Sequence, residues 1–194
     1  GVFEKQISKN QGQENDLIYL SKPLGTGYLL AAYFNNSDSL SSIDFQNLLE
    51  WLKKGNSKAS EISKSFNSNI TTDISGFGLG SHLSDICKSS KLSAEIKLNK
   101  EILINENIEI LENFKSTGFE NNYSSSINDI SISDSNKLKN ILYDPQTNGP
   151  LLISINKENQ IEYEKEFKSK LGFNPILLGE FKKLENNLIS VIDL

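Results

Sequence analysis

The chain has 194 residues, of which 37% are hydrophobic, and it is therefore long enough to bury one sizeable core. Its formal net charge of −5 argues against a nucleic-acid-binding protein, since such proteins usually carry a basic patch. No apolar run approaches the roughly 20 residues that span a bilayer, so we expect no membrane segment and a cytosolic location. The single cysteine, Cys87, excludes an internal disulfide.

The order of apolar and polar residues predicts strands and helices that are mixed without strict alternation. Residues 1–15 are polar and patternless, and we expect a linker or N-terminal extension before a single domain at 16–194. The expected elements, in chain order, are a strand at 16–21, helices at 42–54 and 57–66, a strand at 69–74, a helix that buries Leu79, Leu83 and Ile86, a strand at 93–98, a long loop at 115–137, a short helix at 136–142, a strand at 149–155, a helix from Asn156 to Leu171, and strands at 175–181 and 187–193.

This mixture favours an α+β domain with a mixed or antiparallel sheet covered by helices. Two helix boundaries carry specific signals. Ser41 followed three residues later by Asp44 resembles a capping box at the start of the first helix. Gly172, with Pro175 shortly after it, should end the last helix, which Asn156 should begin as its N-cap.

The polar loop "KPLGTG", residues 22–27, follows the first predicted strand. Backbone N–H groups at glycines, together with the Lys22 ammonium, suit an anion such as phosphate. All the basic residues of the chain are lysines, so an anion site here lacks the bidentate arginine clamp. The loop does not have the Walker spacing, and an ordinary turn is the alternative.

The stretch "TTDISGFGLGSHL", residues 71–83, places Gly76, Gly78 and Gly80 directly after Asp73. Glycine weakens helices and strands, so three of them indicate either a positive φ or the close approach of a charged ligand. A plain tight turn beside a solvated Asp73 is the alternative.

The same stretch can also be compared with a dinucleotide-binding fingerprint. Gly76 and Gly78 have the right spacing, and Glu95 lies about where a ribose-binding acid would be. The third glycine position falls on Ser81, and the preceding strand is polar, whereas the first strand of a Rossmann fold is buried on both faces. These departures disfavour the dinucleotide interpretation.

A third loop, "YDPQTNG" at residues 143–149, precedes a buried strand and taken alone would be a turn. In this order the three loops resemble the C-terminal domain of selenophosphate synthetase (selenide, water dikinase), a resemblance that covers roughly residues 14–194. Residues 22–27 match the family stretch fully, and Asn56 also lies where the family has an asparagine. Residues 72–79 differ from the family at Ile74 and Ser75, and residues 144–150 differ at Asn148 and Pro150.

The resemblance implies a fold like the C-terminal domain of aminoimidazole ribonucleotide synthetase. It also implies an enzyme that makes selenophosphate from selenide and ATP, with AMP and phosphate as the other products. The family's reactive cysteine or selenocysteine and its lysine belong to an N-terminal domain that is absent here. We therefore expect no catalytic residue in this chain, which starts at Gly1 and lacks methionine, and we expect it to be inactive alone. The isolated domain should be a monomer and the parent protein a homodimer.

The resemblance also implies roles for particular residues. Asp73 carries over as a ligand of the Mg²⁺ ions that bridge the ATP phosphates, a role that suits a carboxylate. Gly76 and Gly78 would let the chain turn and bring the next helix N-terminus towards the phosphates. The remaining residues expected at the ATP cleft, each with the alternative of a structural role in a turn, are Lys22, Gly25, Thr26, Gly27, Asp144, Gln146 and Thr147.

Several positions depart from the family pattern or have bland interpretations. Gly80 is shifted by one position, and Pro150 replaces a glycine and its N–H donor. These departures leave open a divergent, non-catalytic docking or dimerisation module. His82 is expected to pack against its helix and Cys87 to be a small buried residue. Asn121 and Asn122 are both candidates for the family's loop asparagine.

Overall fold

The computed structural model describes residues 11–35 and 38–192. Within these residues it has seven strands, seven α-helices and four short 3-10 turns. The elements in chain order are β1 (Leu17–Leu20), α1 (Thr26–Phe34), α2 (Ser42–Lys53), α3 (Ser57–Ser65), β2 (Thr71–Asp73), α4 (Gly78–Ser90), β3 (Leu92–Ile96), α5 (Ile108–Asn113), α6 (Phe119–Ser126), β4 (Ile130–Ser131), β5 (Leu151–Ile155), α7 (Gln160–Leu171), β6 (Ile176–Lys183) and β7 (Ile189–Val191).

The strands form one mixed sheet in the order β2-β5-β1-β6-β3-β7-β4. The pairs β2–β5, β5–β1, β1–β6 and β6–β3 are antiparallel, whereas β3–β7 and β7–β4 are parallel. The prediction of an α+β domain with a mixed sheet is therefore confirmed.

Helices cover both faces of the sheet. Successive residues of a strand point to opposite faces, so the apolar residues of one strand pack in two separate clusters. In β1, Ile18 and Leu20 belong to a core cluster that includes buried residues of α1, α2, α4, α5 and α6. Leu17 and Tyr19 belong to a second cluster, which packs against α3 and α7. Cys87 is fully buried in the first cluster, as expected, and burial raises the pKa of its thiol to about 12.

Two predicted helix boundaries are confirmed and one is displaced. The capping box is present at α2, where Ser41 Oγ accepts from Asp44 N and Asp44 Oδ2 accepts from Ser41 N. Gly172 ends α7 with a φ of +82°. Asn156 does not begin α7; it caps the preceding 3-10 turn by accepting from Glu158 N, and α7 starts at Gln160.

The prediction of a long loop at 115–137 is wrong. This stretch contains α6, a 3-10 turn at 127–129 and the short strand β4. Its Ser- and Asn-rich sequence suggested a loop, but Phe119 and two polar residues, Asn122 and Ser126, are buried and fix the helix by tertiary contacts. The prediction also missed α1 and α5, and the short helix expected at 136–142 is a 3-10 turn at 139–142.

The expected N-terminal extension lies partly outside the described residues. Within 11–15, Gly12 N donates to Ser90 Oγ and Asn15 N donates to Phe181 O. These bonds place residues 11–15 against α4 and β6. Among the helices that the structure describes, none combines the length and the apolar character needed to cross a membrane.

Candidate functional site

The three glycine-containing loops meet at one edge of the sheet. Strand β5 lies between β1 and β2 and runs antiparallel to both, with Leu152 opposite Leu20 and Leu151 opposite Asp73. The chain therefore leaves β1 and β2 at the same edge where it enters β5. We call residues 22–27, 73–78 and 143–150 the loop edge.

Gln146 joins the first and third loops of the loop edge. Its Oε1 accepts from Gly25 N at 2.9 Å and from both N and Oγ1 of Thr26 at 3.2 Å. Its Nε2 donates to O and Oδ2 of Asp144, and Thr147 N donates to Thr26 Oγ1 at 2.8 Å. The amides of Gly25 and Thr26 thus already have acceptors within the chain, which is the turn-holding alternative considered for these residues.

Asp144 is a buried carboxyl beneath the start of α1, with an exposed fraction of 1%. Its Oδ2 accepts from Gly27 N at 3.2 Å. Burial raises the pKa of this carboxyl to about 7, although the hydrogen bonds oppose the rise. Gly27 lies so close that an added Cβ would overlap Pro145 O. Asp144 therefore faces the packed interior.

The glycines of the second loop have different structural reasons. Gly78 has a φ of +72°, and an added Cβ would lie 3.0 Å from Leu142 O. Gly80 lies within α4, where a Cβ would come 2.9 Å from the Ile130 side chain. Gly76 has no positive φ, is exposed, and has open space at its Cβ position. The turn therefore requires glycine at 78 and close packing requires it at 80, whereas nothing in the backbone requires it at 76.

His82 and Ser75 connect the second loop to its surroundings. His82 is buried, and its Nε2 accepts from Ser75 N at 3.3 Å, in agreement with the expected packing role. Ser75 O accepts from Gly78 N and from Gln146 N, both at 3.0 Å. These bonds link the second loop to the third.

Asn122, on α6, is hydrogen-bonded to two loops of the loop edge. The sequence alone does not distinguish it from Asn121. Asn122 is buried, and its Nδ2 donates to Gly76 O at 2.9 Å and to Tyr143 O at 3.0 Å. Asn121 is exposed. The signal that separates them is burial on one face of α6, and the loop assignment of 115–137 concealed it.

Pro150, which departs from the family pattern, and its neighbour Gly149 still form hydrogen bonds through their backbone carbonyl groups. Pro150 O accepts from Ile74 N at 2.8 Å. Asn56 Nδ2 donates to Gly149 O at 2.9 Å, and a Cβ on Gly149 would overlap Ile74 O. The N–H that Pro150 lacks is therefore not needed to hold this loop against β2.

Asp73 is the last residue of β2, an edge strand, and its side chain is exposed at the loop edge. The described residues contain no group of three or more His, Cys, Asp or Glu side chains that could hold a metal ion. Mg²⁺ commonly takes one or two carboxylates and completes its shell with water and phosphate oxygens. One exposed carboxylate fits a contribution to such a shell and does not provide a complete site.

Lys22 is not brought together with Asp73. It is 4% exposed, and its Nζ donates to Lys54 O at 2.7 Å. Burial, together with the nearby charge of Lys54, lowers the pKa of Lys22 to about 8. Its side chain lines a different cleft, whose lining includes none of residues 73–78 or 144–147.

The topology does not support the dinucleotide interpretation. That pattern needs a strand, a helix and a second parallel strand in one unit. Here β2 and β3, which flank α4, are separated in the sheet by β5, β1 and β6. Glu95 lies on β3 and pairs with Glu180 of β6, away from the glycine loop.

Comparison with known proteins identifies both sequence and structural relatives. Residues 13–173 match the family described as AIR synthase related protein, C-terminal domain. The chain is 30% identical over 182 residues to selenide, water dikinase of Caldanaerobacter subterraneus subsp. tengcongensis, covering 93% of this chain and 52% of that protein. It is 29% identical over 198 residues to selenide, water dikinase of Treponema denticola, covering 98% and 55%. The chain thus spans about half the length of these curated relatives.

Solved structures with the same fold are more distant in sequence. Thiamine-monophosphate kinase from Stenotrophomonas maltophilia K279a superposes with a TM-score of 0.68 at 13% identity, over 97% of this chain and 53% of that one. AaThiL complexed with AMPPCP and TMP superposes with a TM-score of 0.59 at 14% identity, over 97% and 51%. The resemblance to selenide, water dikinases and the expected fold are confirmed.

The glycine loop generates a prediction with a matched control. Gly78→Ala should lower the free energy of unfolding by roughly 1–3 kcal/mol, because alanine is strained at positive φ and its Cβ approaches Leu142 O. Gly76→Ala should change stability by less than about 1 kcal/mol, because the site is open. Urea unfolding of both variants measures the difference, and equal effects would contradict these separate roles.

The buried Asp144 predicts a pH dependence of stability. An acid with a raised pKa in the folded state keeps its proton there while the unfolded chain loses it. The stability of the wild type relative to Asp144→Asn should therefore fall as the pH rises from 3.8 to about 7. Urea titrations across this range provide the measurement. The exposed Asp85→Asn on α4 is the control, and the same trend with that variant would remove the assignment to Asp144.

Proposed function

Because this chain belongs to the AIR synthase related protein family, as its C-terminal domain, we propose that it is half of a selenophosphate synthetase-type enzyme. In this role it contributes one wall and one Mg²⁺ ligand to an ATP cleft that an N-terminal domain closes. The complete enzyme phosphorylates selenide with ATP and releases selenophosphate, AMP and phosphate.

Two comparisons support this proposal. The relatives with about 30% identity are named selenide, water dikinase, and they are about twice as long as this chain. A further protein with the same fold, AaThiL, is complexed with AMPPCP, an ATP analogue. A second domain and a nucleotide are therefore reasonable components of the complete site.

The observation that carries the proposal is the position of Asp73. Its carboxylate is exposed at the loop edge, on a strand whose register with β5 puts it opposite Leu151, directly after the third loop. A bound Mg²⁺ would supply positive charge to the phosphates of ATP. Asp73 would hold that ion from one side, with the rest of its shell coming from phosphate, water and the N-terminal domain.

The buried residues of the loop edge act in this proposal as positioning groups. Gln146 ties the first loop to the third, and its backbone N–H donates to Ser75 O, so it also fixes the loop that follows Asp73. Asn122 Nδ2 donates to Gly76 O of the same loop. In this proposal Gly25, Thr26 and their neighbours do not contact the phosphates directly. They act by holding the loop edge in the conformation that presents Asp73 and Gly76.

The expected role of Asp73 can be tested in the complete protein. Asp73→Asn should leave folding intact, because the side chain is exposed, and should lower Mg²⁺-dependent ATP consumption by roughly 100-fold or more. The measurement is the steady-state rate of AMP formation against Mg²⁺ concentration. Asp134→Asn, which removes an exposed carboxylate from another loop, is the matched control. Equal rates for the Asp73 variant and the control would dismiss the ligand role.

The isolated chain should not turn over ATP, because its one exposed loop-edge carboxylate is an incomplete metal site. Incubation with ATP, Mg²⁺ and selenide should give no AMP above a protein-free blank. Appreciable AMP would mean that this half contains the catalytic groups. Activity that is absent even from the complete protein would favour the non-catalytic docking module instead.

A further inference from the structure

The cleft that Lys22 lines has a volume of about 270 Å³ and lies where the end of β1, the N-terminus of α3 and the C-terminal end of α7 come together. Its lining includes Lys22, Lys54, Lys58 and Lys170 and contains no Asp or Glu. We call it the lysine cleft. The whole chain has 25 acidic and 20 basic residues, so a lining with four lysines and no acidic residue runs against the overall charge.

Lys22 is the deepest cation of the lysine cleft. Its side chain is buried, and among residues 11–35 and 38–192 its ammonium has one acceptor, Lys54 O, although an ammonium carries three donors. The nearby charge of Lys54 adds to the cost of burial, and both lower the pKa of Lys22. A buried charge is normally compensated by an opposite charge, and the lining supplies none.

The other three lysines of the lining are exposed. Lys54 Nζ lies 4.0 Å from the Trp51 ring centroid and 4.9 Å from that of Phe173, so two aromatic faces hold this ammonium. Lys170 pairs with Glu166 of the same helix. Lys58 is exposed and makes no ion pair within the part of the chain that the structure describes.

The first turn of α3 also lines the lysine cleft. Asn56 is the N-cap residue, but its side chain donates to Gly149 O and makes no capping bond. The first-turn residues Ser57, Lys58 and Ala59 all line the cleft. Unpaired amides and the positive end of a helix dipole both favour an anion at such a position.

We propose that the lysine cleft binds a phosphate-type oxyanion, as free phosphate or as the phosphate group of a nucleotide. Lysine is a common point-charge ligand of phosphate, and here one buried and three exposed lysines line the same cleft as the N-terminus of α3. The cleft shares Lys22 with the loop edge, but its lining excludes Asp73 and the glycine loop. It does not depend on the proposed magnesium role of Asp73.

Titration of the 194-residue chain with sodium phosphate at constant ionic strength, followed by ¹H–¹⁵N NMR, tests the proposal. We expect saturable shifts at the amides of Gly55, Ser57 and Lys58. Lys58→Gln should weaken binding about tenfold, since one charge-assisted contact is lost. Lys64→Gln, which removes an exposed lysine from the other end of α3, should not. The absence of saturable shifts, or equal effects of the two variants, would overturn the proposal.

A second variant tests the buried cation. Lys22→Met keeps the apolar stem, and Lys54 O still accepts from Asn148 Nδ2 at 3.1 Å, so we expect a folded protein with at least tenfold weaker phosphate binding. A folded variant that binds phosphate as the wild type does would contradict the proposal. Should it fail to fold, the Lys58 and Lys64 pair still decides.

Parallel titrations with AMP distinguish the two sources of the anion. Shifts of the same amides at lower AMP than phosphate concentrations would identify a nucleotide phosphate. Equal or tighter binding of phosphate would identify the free anion. Binding of neither would remove the site.

Discussion

The antiparallel pairing of β5 with both β1 and β2 is the constraint on which the rest of the structure depends. Leu152 is fully buried and lies opposite Leu20 on one side and Thr72 on the other, so one residue sets the register of two strands. A slip by one residue would turn every side chain of β5 to the other face of the sheet, so that residues now packed in one core cluster would face the other. Core packing therefore fixes the relative positions of three loops that are far apart in the chain.

The loop edge combines a buried polar interior with one exposed carboxylate. Asp144 and Gln146 are buried and satisfy backbone groups at the start of α1. Asp73, on the edge strand, has no such duty and stays in contact with solvent. Burial raises the pKa of the Asp144 carboxyl to about 7, whereas an exposed carboxylate can meet a cation without a large desolvation cost. The two acids of the motifs thus have opposite physical roles.

Much of this arrangement was accessible from the sequence, and the remainder depended on tertiary contacts. The capping box of α2 and the end of α7 at Gly172 are local signals and were predicted correctly. The difference between Gly76 and Gly78 was not accessible, because it depends on how closely another segment approaches each backbone. The sequence does not decide between Asn121 and Asn122 as the loop asparagine, because the Ser- and Asn-rich composition of α6 conceals the buried face of that helix. The spacing of the three motifs in the sequence likewise could not show that Lys22 lines a cleft that excludes Asp73.

The hydrogen bonds of Gln146 affect how far activity can be inferred from the Asp-Pro-Gln-Thr motif in other genomes. Its carbonyl oxygen accepts three bonds and its amide nitrogen donates two, which uses everything a glutamine side chain offers. Glutamate would lose both donors, and asparagine is one methylene shorter. Selection for a stable fold alone would therefore preserve this glutamine in a descendant that has lost its chemistry. The presence of this glutamine in a related sequence therefore reports on the fold and does not by itself distinguish an active protein from an inactive one.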